Sequence, residues 1–291
     1  MSEASIENSI VKEDSLSAAG LAFVGGGVMA ESMIAGLLRR ELVRPDQIVA
    51  SHPRRTRREE LEEKYKIKAF ENNADAVRTI KENTTSIVAL CVKPQRLPGV
   101  IEELRNTITP QQLVLSIVAG AKTETLSKEL GSRKIVRAMP NTPAQIGRGI
   151  TAWTSTEDIS NDERSKVKGL LTALGRELYV ETENMIDMAT SLSATGPTYI
   201  FMVMEALTDA GVHMGFSREM AKELVQETML GSVLFAMESH KHPAELRNMV
   251  TSPGGTSAAA IYEMEKGGLR TVLSKAVYAA YRRAVDLGKK N

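Results

Sequence analysis

The residues with the most chemical content in this chain of 291 residues are glycines. Gly25-Gly26-Gly27-Val28-Met29-Ala30 has the spacing Gly-x-Gly-x-x-Ala, directly after the apolar run Leu21–Gly25 and before the helical pattern Ala30–Arg40. A strand, this turn and a helix make a dinucleotide cradle. Gly25 lets the chain turn tightly, Gly27 lets the backbone approach a pyrophosphate, and Ala30 keeps helix and strand close. The start of the helix then offers free N–H groups and a positive dipole end to the phosphates.

The end of the second strand selects the dinucleotide. An NAD site usually places Asp or Glu there for the ribose hydroxyls. Here Gln47–Ser51 runs into His52-Pro53-Arg54-Arg55, and Asp46 lies at the wrong end of the strand. Ser51, Arg54 and Arg55 bring hydroxyl and guanidinium groups, which suit a 2′-phosphate. NADP(H) is therefore the expected cofactor, with NAD(H) as the alternative.

Three more strand-like runs end in unusual loops. Ser86–Val92 closes on Cys91-Val92-Lys93-Pro94, and Gln111–Ile117 on Ile117-Val118-Ala119-Gly120, small residues that would let a cofactor approach. Ile135–Ala138 runs into Met139-Pro140-Asn141-Thr142-Pro143, a polar pair between prolines. In an open parallel sheet such ends share the ligand-binding edge.

Farther on, Thr251-Ser252-Pro253-Gly254-Gly255-Thr256-Ser257 precedes the helical pattern Ala258–Lys266. Thr256 and Ser257 are good cap residues, the glycines free the backbone, and a bare helix start binds a carboxylate. Ser193-Ala194-Thr195-Gly196-Pro197 opens another helix in the same way, with Thr195 as a cap and Pro197 in the first turn.

No Ser/His/Asp or Cys/His set accompanies these loops. His52 sits by the cofactor region, and His213, His240 and His242 lie on helical patterns. Hydroxyacid and alcohol dehydrogenases normally need a general base. A protonated imine is already an electrophile, so positioning and one hydrogen bond suffice. The pattern points to hydride transfer onto a small imine.

Alternating elements must hold these loops. Arg57–Lys66 and Asn73–Lys81 read as helices between the strands. Such alternation predicts right-handed βαβ units and a Rossmann-like, doubly wound, mostly parallel sheet. Beyond residue 183 the pattern turns helical over Gly196–Met214, Ser217–His240 and Leu269–Leu287, and ten of the 14 methionines follow residue 139. A helical region this short and apolar completes its core against a partner subunit. The expected division is a disordered tail at 1–20, a dinucleotide domain at 21–183 and an all-helical substrate and dimerisation domain at 184–291.

Composition bounds the rest. A net charge of +1 leaves no field for nucleic acid or an acidic membrane. One cysteine, Cys91, excludes an internal disulfide and fits a reducing, cytoplasmic setting. The histidines and the cysteine show no metal-ligand spacing. No apolar run nears the roughly 18 residues of a membrane span.

Taken together, these loops resemble the pyrroline-5-carboxylate reductase family over residues 21–288. The resemblance rests on Phe23–Glu31, Val92-Lys93-Pro94-Gln95, Met139–Ala144 and, above all, Val250–Thr256. It implies reduction of L-1-pyrroline-5-carboxylate to L-proline with NAD(P)H, a homodimer, and in some members a ring of dimers. It also implies roles by position. Val24, Gly25, Gly26, Gly27, Val28 and Met29 would hold the cofactor, with Ser51 and Pro53 on the adenosine side, next to the Arg54 read above for the 2′-phosphate. Asn73, Cys91, Val92, Lys93 and Pro94 would meet the ribose and backbone, and Ile117, Val118, Ala119 and Asn141 the nicotinamide. Gly254, Gly255, Thr256 and Ser257 would hold the substrate carboxylate, Ser257 would bond the imine nitrogen as the catalytic residue, and Thr195 would add a substrate contact. The family often has threonine where Ser257 stands and a glycine at Ala194, and some members carry an acid at His240. A related reductase of another cyclic imine acid or of a 3-hydroxyacid, using Lys222, Lys241 or Lys275, is the alternative. A nucleotide sensor without activity is a third reading.

Overall fold

Every residue of the first strand, β1 (Ala19–Val24), is buried, and its side chains alternate between two cores. Leu21 and Phe23 enter one cluster, and Ala22 and Val24 the other. A strand covered on both faces belongs in the middle of a sheet flanked by helices. This is the arrangement in the computed structural model, which describes residue 16 and residues 18–80 and 85–289. Residues 1–15 and 17 of the expected tail, and Lys81 of the third helical pattern, lie outside the described residues.

The elements follow in strict alternation at first. They are β1, α1 (Val28–Arg39), β2 (Ile48–Ser51), α2 (Arg55–Tyr65), β3 (Lys68–Phe70), α3 (Asn73–Thr79) and β4 (Thr85–Leu90). Next come α4 (Leu97–Leu104), β5 (Leu113–Ser116), α5 (Thr123–Leu130) and β6 (Ile135–Met139). β7 (Gly149–Ser155), α6 (Asn161–Thr172), β8 (Gly175–Tyr179) and α7 (Asn184–Ala189) complete the series. Among the described residues the strands form one sheet in the order β3-β2-β1-β4-β5-β6-β7-β8. All neighbouring pairs are parallel except β6 with β7. Met33, Ile34 and Leu37 of α1 and Val167, Leu170 and Leu171 of α6 cover one face. Val77 of α3, Leu104 of α4 and Leu126 of α5 cover the other. This is the doubly wound, mostly parallel sheet of the sequence reading.

The differences are local. β1 starts at Ala19, inside the segment read as a tail, and Leu16 just before it is 1% exposed. β7 and β8 extend the sheet beyond the strands read from the sequence. The five residues Thr190–Ala194 wind as a π-helix.

The chain divides into two compact units. One ends at Thr195 and is taken up again from Ala280; the other is Gly196–Ala279. The sequence reading drew its boundary at 183/184. The structure keeps α7 with the sheet because Arg137 of β6, 1% exposed, binds Glu183 at 3.0 Å and Asp187 at 2.6 Å. Tyr281 Oη also donates to Asn184 Oδ1 at 3.2 Å.

The second unit is helical: α8 (Gly196–His213), α9 (Arg218–Ser239), α10 (Pro243–Met249), α11 (Thr256–Lys266) and the larger part of α12 (Leu269–Lys289). Ser217 caps α9 and His242 caps α10. Gly211 of α8 lies close against Ala221 of α9, where an added Cβ would come within 2.9 Å of the alanine methyl. Ile200, Phe201, Leu230, Leu234, Phe235 and Val272 stay exposed in the single chain.

Candidate active site

Strand register brings the sequence-predicted loops to one edge. Val24 pairs with Ser51 and Leu90, Leu90 with Ser116, and Ser116 with Arg137. The chain therefore leaves β1, β2, β4, β5 and β6 on the same side of the sheet, the side on which parallel sheets bind ligands.

At the glycine turn the three glycines serve different ends. Gly25 has φ 93°, and a Cβ there would lie 2.6 Å from Val92 Cγ1. A Cβ on Gly26 would strike Leu61 at 2.7 Å. Gly27 has an ordinary φ of −80°, and the nearest atom to a Cβ is 4.0 Å away. Its missing side chain is thus not required by the protein and leaves space for a ligand. Gly27 is the N-cap of α1 with no side-chain cap bond, so the first-turn N–H groups are left for an anion. A dinucleotide pyrophosphate fits this cradle.

Ser51 lies beneath the turn and is fully buried. Its Oγ donates to Asn73 Oδ1 at 2.7 Å and accepts from Gly25 N–H at 3.4 Å. The sequence reading offered this hydroxyl to a 2′-phosphate; the structure commits it inside the protein. Beyond it the basic run separates by role. Arg57 donates to the Gly26 carbonyl at 2.9 Å and pairs with Glu31 and Glu60. Arg58 donates to the His52 and Pro53 carbonyls and pairs with Glu71. Arg55 pairs with Glu59 on the surface. Arg54 is exposed, and its guanidinium has no partner among the described residues, which makes it the available cation at this strand end. Burial and these arginine charges push the His52 imidazole below its ordinary value.

Glu31 anchors the first turn of α1. Burial raises its carboxyl, but bonds from Arg57, Lys64 and Tyr65 outweigh that and lower it to about 2. Cys91 N–H donates to the Val24 carbonyl at 2.8 Å, and desolvation pushes the Cys91 thiol up to about 12. Its half-buried side chain packs against the first core cluster. Lys93 and Pro94 lead into a short 3-10 turn, Pro94–Arg96.

After β5, Ile117 and Ala119 are half-buried at the edge while Val118 enters the core at 1% exposure. Gly120 departs from the sequence reading. Its φ is 77°, and the space of its missing Cβ is filled by the Leu287 backbone at 2.8 Å, not held open for a cofactor. After β6, Asn141 Oδ1 accepts from Ile150 N–H at 2.9 Å, which ties this loop to β7 and leaves its NH2 group to donate.

Two residues escaped the sequence reading. Arg137 draws Glu183 against Thr123, whose N–H and hydroxyl donate to that carboxylate at 2.8 and 2.9 Å. A charged residue inside an apolar strand run was its signal. Glu103 of α4 accepts three bonds from Asn73 and Ala74 and left no signal of its own.

In the helical unit, α11 begins at Thr256 with Gly255 as N-cap and no side-chain cap bond. Thr256 and Ser257 are thus the first two helical residues and do not cap. A Cβ on Gly255 would lie 2.5 Å from Ser252 Oγ, and the Gly255 N–H donates to the Ser252 carbonyl at 3.0 Å, so this N–H, read from the sequence as a carboxylate donor, is spent inside the turn. Gly254 has φ 70°. The Ser257 hydroxyl, half-buried, has no partner among the described residues. At the end of the first unit Thr195 does not cap α8 either; its hydroxyl donates back to the Thr190 carbonyl at 2.8 Å and closes the π-helix.

Among the described residues no His, Cys, Asp and Glu side chains group as metal ligands, and no helix is long and apolar enough to cross a membrane. The family model described as pyrroline-5-carboxylate reductase dimerisation matches residues 183–287. The model described as NADP oxidoreductase, coenzyme F420-dependent, matches residues 20–120. The chain is 38% identical to a pyrroline-5-carboxylate reductase of Synechocystis over 270 residues, 93% of this chain and 98% of the relative. It superposes on the pyrroline-5-carboxylate reductase of Coxiella burnetii with a TM-score of 0.82 at 34% identity, covering 93% and 98% of the two chains. The Plasmodium falciparum pyrroline carboxylate reductase with NADP bound matches at 27% identity with a TM-score of 0.82, covering 92% and 98%.

Proposed function

Since the chain belongs to the pyrroline-5-carboxylate reductase family, we propose that it reduces L-1-pyrroline-5-carboxylate to L-proline, the last step of proline biosynthesis. NADPH is the preferred hydride donor and NADH the second. The observation that carries the reading is the uncapped start of α11, where the first-turn N–H groups of Thr256 and Ser257, the Gly254 N–H and the Ser257 hydroxyl, without a partner among the described residues, offer hydrogen bonds and no titratable group. A cyclic imine acid needs a carboxylate cradle and one hydrogen bond at nitrogen more than it needs a general base.

In this reading Gly25–Met29 hold the pyrophosphate, Pro53 and Arg54 meet the adenosine end, and Arg54 takes the 2′-phosphate. Asn73 and Cys91–Pro94 border the ribose. Ile117, Ala119 and Asn141 border the nicotinamide, with the buried Val118 supporting them. The reduced nicotinamide, when bound, supplies the hydride. N–H groups of Gly254, Thr256 and Ser257 hold the substrate carboxylate, and the Ser257 hydroxyl bonds the imine nitrogen and fixes the orientation of the C=N bond. Thr195, with its hydroxyl committed to Thr190, shapes the substrate side through its loop. The dimerisation match over 183–287 and the apolar side chains exposed on α8 and α9 support a homodimer or a ring of dimers. The single cysteine suits a cytoplasmic enzyme.

The test is direct. Purified protein supplied with NADPH and pyrroline-5-carboxylate should oxidise the cofactor and yield an equal amount of proline. Cofactor that stays reduced with the imine present would sink the proposal.

A further inference from the structure

We propose that Glu103, on α4, is a positioning residue for the dinucleotide: it sets the orientation of the Asn73 carboxamide and, through it, the direction of the Ser51 hydrogen bond under the glycine turn. The inference rests on the reading of that turn as an NADPH site.

The bonds determine one another. Glu103 Oε1 accepts from the backbone N–H of Asn73 at 2.7 Å and of Ala74 at 3.2 Å. Its other oxygen accepts from Asn73 Nδ2 at 2.6 Å. Asn72, the N-cap of α3, makes no side-chain cap bond, so Glu103 caps that helix from a neighbouring one. An ionised carboxylate can only accept, so the Asn73 NH2 group must face it. Asn73 Oδ1 is thereby turned toward Ser51 Oγ, 2.7 Å away. Because Oδ1 can only accept, the Ser51 hydroxyl must donate. Ser51 is left with acceptor capacity, and the Gly25 N–H meets it at 3.4 Å. One carboxylate thus fixes the sense of each bond from α4 through Asn73 and Ser51 to the first glycine of the turn. The second Asn73 Nδ2 hydrogen has no partner among the described residues, and holding the carboxamide keeps that donor in one direction for a ribose oxygen.

Glu103→Gln reverses this with almost no change in shape. If its one carbonyl oxygen keeps the two backbone N–H groups, its NH2 group faces Asn73, whose carboxamide must turn over. Asn73 then presents Nδ2 to Ser51, and the Ser51 bond changes sense. Glu103→Asp keeps an acceptor-only group on a shorter stem.

The experiment is steady-state kinetics with both substrates varied, direct NADPH binding by fluorescence, and thermal melting. E103Q is expected to raise the NADPH KM and Kd about tenfold while kcat, the imine KM and Tm stay close to wild type. E103D should recover most of that loss. Asn73→Ala should weaken NADPH binding similarly, and adding E103Q to it should bring little further loss. An unchanged NADPH KM in E103Q overturns the proposal. So does a parallel fall of kcat, both affinities and Tm, which is the mark of a structural role, and so does full additivity with Asn73→Ala. Wild-type protein that binds no NADPH would overturn the underlying reading as well. Wild-type binding with an unaffected E103Q variant would overturn this inference alone.

Discussion

Gly120, just past the end of β5, packs against Leu287 near the C-terminus: a Cβ on the glycine would lie 2.8 Å from the Leu287 carbonyl carbon. Its φ of 77° also disfavours any side chain. Gly120→Ala should therefore cost about 2 kcal/mol. Thermal melting should show a drop of several degrees, with the NADPH Kd of the folded protein unchanged. A variant that melts with the wild type would mean that α12 does not seat there.

The glycine turn separates stability from binding. Gly25→Ala combines a φ of 93° with a contact of 2.6 Å to Val92, and should lower Tm. Gly27→Ala meets no atom closer than 4.0 Å among the described residues, so Tm should hold. The added methyl would instead crowd the pyrophosphate and weaken NADPH binding at least about tenfold. Equal effects of the two variants on Tm would contradict this assignment.

Arg54 and Arg55 differ in availability: among the described residues Arg55 pairs with Glu59 and Arg54 with none. Arg54→Gln should raise the NADPH KM about tenfold and leave the NADH KM nearly unaltered, the loss of one charged hydrogen bond to a phosphate. Arg55→Gln should change neither. Kinetics with both cofactors decides, and an R54Q enzyme that keeps its preference would remove Arg54 from the 2′-phosphate site.

The Ser257 hydroxyl has no partner to lose among the described residues. Ser257→Ala should leave Tm and NADPH binding intact and cut kcat/KM for the imine roughly 10- to 100-fold, one hydrogen bond at the reacting group. Ser257→Thr keeps the hydroxyl and should retain activity. Near wild-type turnover by S257A would place the catalytic hydrogen bond elsewhere.

Glu31 links stability to acid. Its carboxyl is held at about 2 against an ordinary 4.5. The folded value is the lower one, so the stabilisation is fully present above 4.5 and is lost as pH falls toward 2. It amounts to about 1–2 kcal/mol once solvent screening is allowed for. Glu31→Gln should lower Tm at pH 7 and flatten the decline of Tm below pH 4.5. Parallel Tm curves for variant and wild type would show that Glu31 carries no such linkage.

The strand, glycine turn and helix at residues 19–39 were readable because their signals are local. Gly25-x-Gly27-x-x-Ala30 lies within one turn, β1 and β4 are apolar runs, and α8 and α9 repeat their apolar residues with helical spacing. Local chemistry of this kind sets which conformations a segment can take, and it is written in consecutive residues. The Ser160 and Glu163 capping box of α6 was equally local and went unused. β3, three residues long, has too few to show a period.

What the tertiary structure alone decided depends on residues far apart in the chain. Glu103 looks like any solvated helix residue until α3 and α4 lie side by side. Arg137 finds its carboxylates at Glu183 and Asp187 only when α7 returns to the sheet. Gly120 looked like an opening for a ligand, and the far end of α12 fills it. The antiparallel placement of β7 beside β6 likewise arises from pairing, not from either strand's own residues. The chain by itself determined which segments form a glycine turn before a helix and which helices start uncapped, because turns and helix starts are properties of a few adjacent residues. Packing decided which polar groups are spent inside the protein and which, like the Arg54 guanidinium and the Ser257 hydroxyl, stay without a partner among the described residues, because burial and hydrogen-bond partners exist only once distant segments meet.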